Sequence, residues 1–347
     1  MSDQYYAVIS DQHFHSWTTF STTNEDGINS RLKIQLSELR RCADELKKVG
    51  GKLIINAGDT FHQRGNLTPT VLNPVIDLHR DLIAEGFRIV ILSGNHDAEL
   101  RNVTRLSSSV TSLEGVGCKV INETTIIGNK CLIPWHQDIK ELKEVIERVP
   151  VSERGEIDLF LHAPIDGVIV GIPDHGLTGE YLSDLGFKRV FSGHYHSFCE
   201  VAPNIYSIGA STHQTFSDVG SKAGFLIVND KEVKRFAAHS PKFIDINLDN
   251  FDDAELLVDG NYVRCRIDMV NESDVALLRQ QFLDWGAVGV TIIQVKTSVV
   301  TERGASAVTT GSLSLESSVS KYVELRGYSD KVDKLCLEIL NEIEDVE

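Results

Sequence analysis

The chain has 347 residues, 41% of them hydrophobic, which is enough for one large domain with appendages. No run of about 18 apolar residues occurs, which argues against a membrane span, and the first residues lack the basic and apolar regions of a signal peptide. The net charge is −16, so broad, autonomous binding to nucleic acid, which depends on phosphate contacts, is not expected.

The negative charge is unevenly distributed. Residues 241–347 contain 10 Lys+Arg and 20 Asp+Glu, so they carry −10 of the net charge and the first 240 residues carry −6. Catalysis on a phosphodiester at a metal centre, or help from a basic partner, remains compatible with this balance. The six cysteines are scattered and form no Cys-x-x-Cys pair, which indicates reduced thiols in a cytoplasmic protein rather than structural zinc or disulfides.

Strand and helix patterns alternate along the first 240 residues. Apolar runs predict strands at 5–10, 52–57 and 87–93, and helical periodicity predicts helices at 28–49 and 68–85. This order implies parallel strands with helical crossovers. The later predicted strands are closer together in sequence, which suggests a second, more antiparallel sheet packed on the first. These strands are predicted at 124–134, 158–163, 189–192, 205–208, 224–229 and 233–238, and a helix is predicted at 137–149.

The pattern changes near Pro241. Residues 243–248, 262–270, 272–285 and 288–296 read as strand, strand, helix and strand, which together make a small α+β unit. Residues 298–318 are rich in Ser, Thr, Gly and Ala and indicate a flexible linker. Residues 315–347 are again amphipathic and helical, with a break at Gly327-Tyr328-Ser329. Such a helix usually packs on its own domain, but the polar linker favours docking on a partner.

Polar side chains follow five of the predicted strands, at the point where each strand ends. The carboxyl ends of strands in an open α/β sheet converge on one crevice, so these side chains are expected to meet. Imidazole and carboxylate ligands together suit manganese, iron or zinc better than calcium. A pair of such ions can activate water and clamp a phosphoryl group, and Asp59 is the natural bridging carboxylate. The residues concerned are Asp11, His13, Asp59, Asn95, His96, His162, His194 and His196.

Each of these motifs is weak alone, and neighbouring residues leave alternatives open. His62 is a second candidate catalytic residue if it lies beside His96 and tunes it, although an exposed loop position is equally compatible. His15 competes with His13 as a ligand, but His13 is nearer the strand end. Asp97 could hydrogen-bond a histidine of the site or cap a helix. Trp17 could stack a base, with packing at the rim as the alternative.

The whole series Asp-x-His, Gly-Asp, Gly-Asn-His-Asp, His and Gly-His-x-His resembles that of the calcineurin-like metallophosphoesterases over residues 5–240. The resemblance implies one ion held by Asp11, His13, Asp59 and His196. It implies a second ion held by Asp59, Asn95, His162 and His194. His96 would bind no metal, and would stabilise the transition state or protonate the leaving oxygen.

Further segments resemble one branch of this superfamily. Gly58-Asp59-Thr60-Phe61-His62 is similar to the DNA double-strand-break repair nucleases of the SbcD type, whereas protein phosphatases have Asp at the position of His62. Residues 171–196, Leu132-Ile133-Pro134-Trp135 and residues 206–211 resemble the recombination nuclease subunit of tailed phages. The fold implied is α/β: a two-sheet metallophosphoesterase sandwich flanked by helices, with a small α+β capping domain and a C-terminal helical tail.

The resemblance also implies an organisation and partners. The nuclease domain would cover 1–240, the capping domain 241–297, the linker 298–318 and a partner-binding helical tail 319–347. The chain would be a manganese-dependent DNA exonuclease and endonuclease subunit, with Mg²⁺ as the alternative ion. It would form a homodimer in a bacterial cytoplasm, encoded by the bacterium or by a phage, and its tail would bind an SbcC-like ATPase. Another metallophosphoesterase activity, on cyclic nucleotides or phosphomonoesters, remains the alternative.

Overall fold

The computed structural model describes residues 4–100, 103–267 and 272–294, together with 319–320, 323, 329, 331–332 and 334–337 of the tail. Two compact units are present, Met1–Lys296 and Thr297–Glu347. The predicted linker at 298–318 and the predicted strand ends at 268–270 and 295–296 lie outside the described residues. In the tail, the described residues other than Ser329 are helical.

The first sheet has six strands in the order β12-β11-β1-β2-β3-β4. β1, β2, β3 and β4 are parallel neighbours, and β11 and β12 extend the sheet as antiparallel strands beside β1. The strands are β1 (Tyr5–Ile9), β2 (Leu53–Asn56), β3 (Arg88–Leu92), β4 (Lys119–Ile121), β11 (Gly224–Asn229) and β12 (Val233–Ala237).

The second sheet also has six strands, in the order β5-β6-β7-β8-β10-β9. β6, β7, β8 and β10 are parallel, and the edge strands β5 and β9 are antiparallel to their neighbours. Each sheet therefore has three parallel and two antiparallel pairs, so the expectation of a more antiparallel second sheet is wrong. The strands predicted at 224–229 and 233–238, expected in the second sheet, belong to the first. The strands are β5 (Thr125–Ile127), β6 (Lys130–Ile133), β7 (Asp158–His162), β8 (Arg189–Gly193), β9 (Cys199–Ala202) and β10 (Ile205–Ser207).

The structure contains two strands where the sequence predicted one. The run predicted at 124–134 turns back on itself at Gly128, whose φ of 58° lies in the left-handed region that favours glycine. The result is the β5–β6 hairpin, in which Ile127 pairs with Lys130. The short strands β4 and β9 were not predicted, because both are only partly buried and lack the continuous apolar run that marks the equally short, buried β10.

Helices cover both outer faces of the paired sheets. α1 (Ser30–Lys48) and α2 (Pro69–Ala84) pack on the first sheet, and α3 (Ile139–Glu147), α4 (Val151–Arg154) and α5 (Gly179–Asp184) lie along the second. α1 begins two residues later than predicted because the Asn29 side chain accepts hydrogen bonds from the Arg31 and Leu32 N–H groups. The four-layer α/β sandwich agrees with the predicted fold class.

Alternation along β1 shows how the layers are separated. Tyr6 and Val8 face the core between the two sheets, whereas Ala7 and Ile9 face α1 and α2. Since successive side chains of a strand point to opposite faces, a continuous apolar run is the pattern required of a strand covered on both sides. This arrangement fixes the strand ends at which the polar residues emerge.

A third, three-stranded parallel sheet follows the sandwich, in the order β13-β14-β15. Its core is formed with α6 and α7 around Phe282 and Val263. The elements are β13 (Phe243–Ile246), α6 (Ala254–Val258), β14 (Tyr262–Ile267), α7 (Glu272–Asp284) and β15 (Gly289–Gln294). Within the described residues, no helix is long and apolar enough to cross a membrane.

Candidate metal centre

The eight predicted site residues lie together at the carboxyl ends of five strands. Asp11 and His13 follow β1, Asp59 follows β2, and Asn95 and His96 follow β3. The second sheet supplies the other three, because His162 ends β7, and His194 and His196 follow β8. We call this group the histidine–carboxylate cluster: Asp11, His13, Asp59, Asn95, His96, His162, His194 and His196.

One half of the cluster is built around His13. Its Nε2 atom lies 3.3 Å from Nε2 of His196, 3.5 Å from Oδ2 of Asp59 and 4.0 Å from Oδ1 of Asp11. Asp11, His13 and His196 form one group whose ligand atoms all lie within 4.8 Å of one another. These are nitrogen and oxygen atoms with lone pairs converging on one small volume, which suits a cation.

The other half is built around His162. Its Nε2 atom lies 3.3 Å from Oδ1 of Asp59 and 3.0 Å from Oδ1 of Asn95. The same Asn95 oxygen lies 3.0 Å from Nδ1 of His194. Asp59 therefore turns one carboxylate oxygen to each half, as a bridging ligand must.

In three histidines, a hydrogen bond at Nδ1 leaves Nε2 as the nitrogen that faces the cluster. Nδ1 of His162 donates to the Ala57 carbonyl at 2.8 Å, and Nδ1 of His96 donates to the His62 carbonyl at 2.7 Å. Nδ1 of His196 lies 2.8 Å from Oδ1 of Asp218. In the neutral form of such a ring the proton is on Nδ1 and the lone pair is on Nε2, and this is the arrangement that metal-binding imidazoles adopt.

Electrostatics within the cluster favour a positive charge. Burial alone would lower the pKa of His162, but the carboxylates of Asp59 and Asp11 raise it to about 9. Burial would likewise raise the pKa of Asp59, yet His162 and His13 hold it well below its usual range. A divalent cation between Asp59 and the imidazoles would supply the charge that this environment stabilises, so the donor set fits a metal pair.

The backbone around the cluster is strained in a way that the sequence did not indicate. Among the residues that the structure describes, six non-glycine residues have positive φ, and four of them belong to the cluster: Asp11 at 49°, His13 at 45°, Asp59 at 53° and His194 at 98°. Such conformations cost energy and persist where the surrounding structure enforces them. Their concentration here indicates that the fold is arranged to aim these side chains.

Two aromatic walls flank the cluster. On one side Trp17 lies over His62, with ring centroids 4.5 Å apart, and His62 is stacked on His96 at 5.5 Å. His62 is thus beside His96, and His15 packs against Trp17 and His62 at the rim rather than joining the cluster. On the other side the Trp135 ring is stacked on His194 at 5.2 Å.

Asp97 connects two of the loops that carry the cluster. Its carboxylate accepts hydrogen bonds from the backbone N–H groups of Thr60, Phe61 and Gly94. Burial and the nearby Asp59 raise the pKa of Asp97 to about 7, against the effect of these hydrogen bonds. Asp97 therefore holds the loop after β2 against the loop after β3, a role different from the two that its sequence position suggested.

Several supporting residues were not identified from the sequence. Gln35 on α1 donates through Nε2 to the carbonyls of Gln12 and His13, and Gln214 donates through Nε2 to the Asp11 carbonyl. Asp218 holds His196, as described above. Only Asp218 left a signal, since Thr215 and Asp218 have the Thr-x-x-acid spacing of a helix capping box, and the structure contains that box.

The chain is similar to a phage protein and to two solved structures. The exonuclease subunit 1 of Enterobacteria phage T4 is 28% identical over 209 residues, which cover 58% of this chain and 60% of that protein. The matched region is therefore less than two thirds of the relative's length. Two solved structures are also similar: a dimetal phosphatase from Danio rerio (TM-score 0.41, 11% identity, 67% of this chain and 98% of that one) and the nuclease MPE from Pseudomonas putida (TM-score 0.32, 14% identity, 67% and 87%).

A family model described as calcineurin-like phosphoesterase matches residues 5–198. That range is more than half of the chain, runs from β1 past β8 and contains every residue of the histidine–carboxylate cluster. Members of this family use divalent metals, and the clustered ligand atoms of Asp11, Asp59, His13, His162 and His196 agree with that use. The chain belongs to the calcineurin-like phosphoesterase family.

Proposed function

We propose that the chain is a DNA nuclease subunit that hydrolyses phosphodiester bonds at a pair of divalent metal ions. The observation that carries the proposal is the placement of Asp59, which turns one oxygen to the His13 half and the other to the His162 half of the cluster. A carboxylate so placed can be shared by two ions. The nuclease branch is supported by the 28% identity to the phage T4 exonuclease subunit 1.

The proposed ligands divide between the two halves. One ion would be held by Asp11, His13, Asp59 and His196, and the other by Asp59, Asn95, His162 and His194. Four imidazoles among the ligands favour manganese, iron or zinc over calcium, and we propose Mn²⁺ as the native ion, with Mg²⁺ as the alternative. When bound, the ions supply Lewis acidity and a nucleophilic hydroxide at neutral pH.

His96 would serve the leaving oxygen. Its Nδ1 atom is committed to the His62 carbonyl and its backbone N–H donates to Oδ1 of Asp59 at 2.8 Å, so the ring is held in one place beside His13. Nε2 remains to stabilise the transition state or to protonate the oxygen that departs. His62, stacked on His96 and supplying its carbonyl partner, would position that ring.

The proposal also includes a partner protein and a domain organisation. The chain is acidic, with a net charge of −16, so we propose that an SbcC-like ATPase supplies the basic surface for DNA. The four-part organisation remains part of the proposal: nuclease domain 1–240, capping domain 241–297, linker 298–318 and partner-binding tail 319–347. The proposed assembly is a homodimer of the nuclease domains in a bacterial cytoplasm.

The decisive experiment measures manganese-dependent degradation of linear double-stranded DNA by the full chain with its ATPase partner. His96→Ala should abolish degradation while two Mn²⁺ ions still bind, and the surface variant Asp230→Asn should degrade DNA like the wild type. Hydrolysis of bis-para-nitrophenyl phosphate would not discriminate, since other members of the family could cleave it. Retained degradation by His96→Ala would contradict the assignment of His96, and phosphatase activity without DNA degradation would favour the alternative.

A further inference from the structure

Asp218 lies behind the cluster, at the end of a short 3₁₀ helix, Phe216–Asp218. It is buried, with 4% of its surface exposed, and its two carboxylate oxygens face different groups. Oδ1 lies 2.8 Å from Nδ1 of His196, and Oδ2 accepts hydrogen bonds from the backbone N–H groups of Gln214 at 2.7 Å and Thr215 at 3.0 Å. Both oxygens are therefore used as acceptors.

This pattern determines the tautomer of His196. An acceptor-only carboxylate requires that Nδ1 of His196 carry the proton, and a neutral ring then has its lone pair on Nε2. Nε2 is the atom that lies 3.3 Å from Nε2 of His13. The orientation and the tautomer of His196 thus follow from one carboxylate on a segment that follows β10.

The segment that carries Asp218 is itself anchored on two sides. The Gln214 side chain donates to the Asp11 carbonyl at 2.8 Å, which ties the segment to another proposed ligand. The Gln214 carbonyl accepts from the guanidinium of Arg31, which is 5% exposed. The position of Asp218 is consequently fixed by contacts other than its hydrogen bond to His196.

We propose that Asp218 is a positioning residue for His196, which sets this imidazole as a ligand of the ion in the His13 half of the centre. The inference rests on the proposed metal centre. It predicts an effect on one ion only, because Nδ1 of His162, in the other half, is held by the Ala57 carbonyl and not by Asp218. Carboxylates in this position typically contribute about 10- to 100-fold to metal affinity.

The test is a Mn²⁺ titration of the full chain, followed by calorimetry, with Asp218→Asn as the variant. Asn can keep one oxygen toward the Gln214 and Thr215 N–H groups, and it then turns an NH₂ donor toward Nδ1 of His196. One of the two ions should bind about 10- to 100-fold more weakly, and the other should bind with unchanged affinity. Asp230→Asn is the matched control, since the Asp230 side chain is 83% exposed and its carboxylate pairs with Lys188.

A second measurement follows the tautomer directly. In the metal-free chain labelled with ¹⁵N-histidine, the His196 resonances, assigned with His196→Ala, should report a protonated Nδ1 in the wild type and a protonated Nε2 in Asp218→Asn. If Asp218→Asn does not fold, Asp218→Ser replaces it, because a hydroxyl can still accept from the Gln214 and Thr215 N–H groups.

The outcomes separate this inference from the proposed function. If the wild type binds two Mn²⁺ ions and Asp218→Asn binds one of them more weakly, the result supports both the metal centre and the role of Asp218. Wild type and variant with equal affinities for both ions would overturn the role of Asp218 and leave the metal centre standing. Equal weakening of both ions would also overturn it, because that is the result of a merely structural loss. A wild-type chain that binds no Mn²⁺ would overturn the metal centre and this inference together.

Discussion

Gly94 leaves the space that the Asp59 carboxylate occupies. A Cβ atom added to Gly94 would lie 2.1 Å from Oδ1 of Asp59 and 2.4 Å from its backbone nitrogen. Both distances are far shorter than a van der Waals contact, and one of the two atoms belongs to the backbone, which cannot swing away as a flexible side chain can. Glycine at position 94, after β3, is thus required by the position of Asp59, after β2.

Gly94→Ala should therefore displace Asp59 and weaken both ions, since Asp59 faces both halves of the cluster. Overpacking of this kind costs about 1–3 kcal/mol of stability. Because Asp59 faces both halves of the cluster, we expect Mn²⁺ binding and DNA degradation to be lost as well. Calorimetric titration with Mn²⁺ measures the first effect directly.

The matched control is Gly115→Ala. A Cβ atom on Gly115 would meet no atom within 4 Å, and Gly115 has no positive φ. This variant should bind two ions and degrade DNA like the wild type. Equal binding by Gly94→Ala would show that Asp59 is not held where the structure places it.

Trp135 should support the His162 half of the centre through His194. Its ring is stacked on that imidazole, and such aromatic pairs contribute about 0.5–1.5 kcal/mol beyond the area they bury. Trp135→Ala is expected to weaken one ion by about two- to tenfold, whereas Trp135→Phe keeps a stacked ring and should bind nearly as the wild type does. Unchanged Mn²⁺ affinities in Trp135→Ala would mean that the ring only lines the cleft.

Much of the cluster could be predicted because each of its residues ends a strand or follows one within a few residues. The order of apolar runs located the ends of β1, β2, β3, β7 and β8, and parallel strands place such ends at one edge of a sheet. Prediction was less successful where the structure depends on contacts between distant segments. Asp218 contacts His196 across 22 residues, and Arg31 contacts Gln214 across 183, and no local pattern encodes either contact.

The direction of the edge strands in the two sheets was another feature that the sequence did not predict. Spacing between strands indicated two sheets, but it did not indicate which edge strands run antiparallel, since that depends on where the chain crosses from one sheet to the other. Positive φ at Asp11, His13 and Asp59 was also hidden, because Asp and His carry no sign of the conformation that the surrounding fold imposes.

The end of the sandwich that lies away from the cluster contains a buried ion pair. Arg189 donates to both oxygens of Asp158, at 2.7 and 3.0 Å, and Tyr6 of the first sheet donates to Oδ2 of the same carboxylate at 2.7 Å. Arg189→Met would leave the Asp158 charge buried without this partner, which typically costs about 3–5 kcal/mol. Denaturant unfolding of the two chains measures the difference.

Lys188→Met, one residue earlier, serves as the control. Lys188 pairs with Asp230, whose side chain is 83% exposed, and exposed pairs contribute about 0–1 kcal/mol. A loss in Arg189→Met no larger than that in Lys188→Met would mean that the Asp158 carboxylate is stabilised without Arg189.

Deleting residues 300–347 tests the proposed division of labour between nuclease domain and tail. The described residues of the cluster all precede this segment, so the truncated chain should still bind two Mn²⁺ ions and cleave DNA. It should lose co-purification with the ATPase partner, which the tail is proposed to bind. A truncated chain that still co-purifies with the ATPase would place the interface elsewhere.

His79 should make stability depend on pH independently of the metal centre. It lies on α2, is 1% exposed, and donates from Nδ1 to the Val75 carbonyl at 2.7 Å. Burial lowers its pKa from 6.5 to about 4, so the native chain keeps this ring neutral at pH values where the unfolded chain protonates it. The stabilisation is complete above pH 6.5 and is lost as the pH falls from there through about 4, a loss of roughly 3 kcal/mol at 1.36 kcal/mol per pH unit.

The measurement is the free energy of unfolding of the metal-free chain across this range, for the wild type and for His79→Leu. Leucine cannot take up a proton, so the variant should lose less stability on acidification, and the difference between the two chains should change by a few kcal/mol. The variant also loses the hydrogen bond to Val75. This loss shifts its free energy of unfolding by the same amount at every pH at which the wild-type ring is neutral, so it does not change the pH dependence. Parallel curves for wild type and His79→Leu would show that His79 is protonated in the folded chain as readily as in the unfolded one.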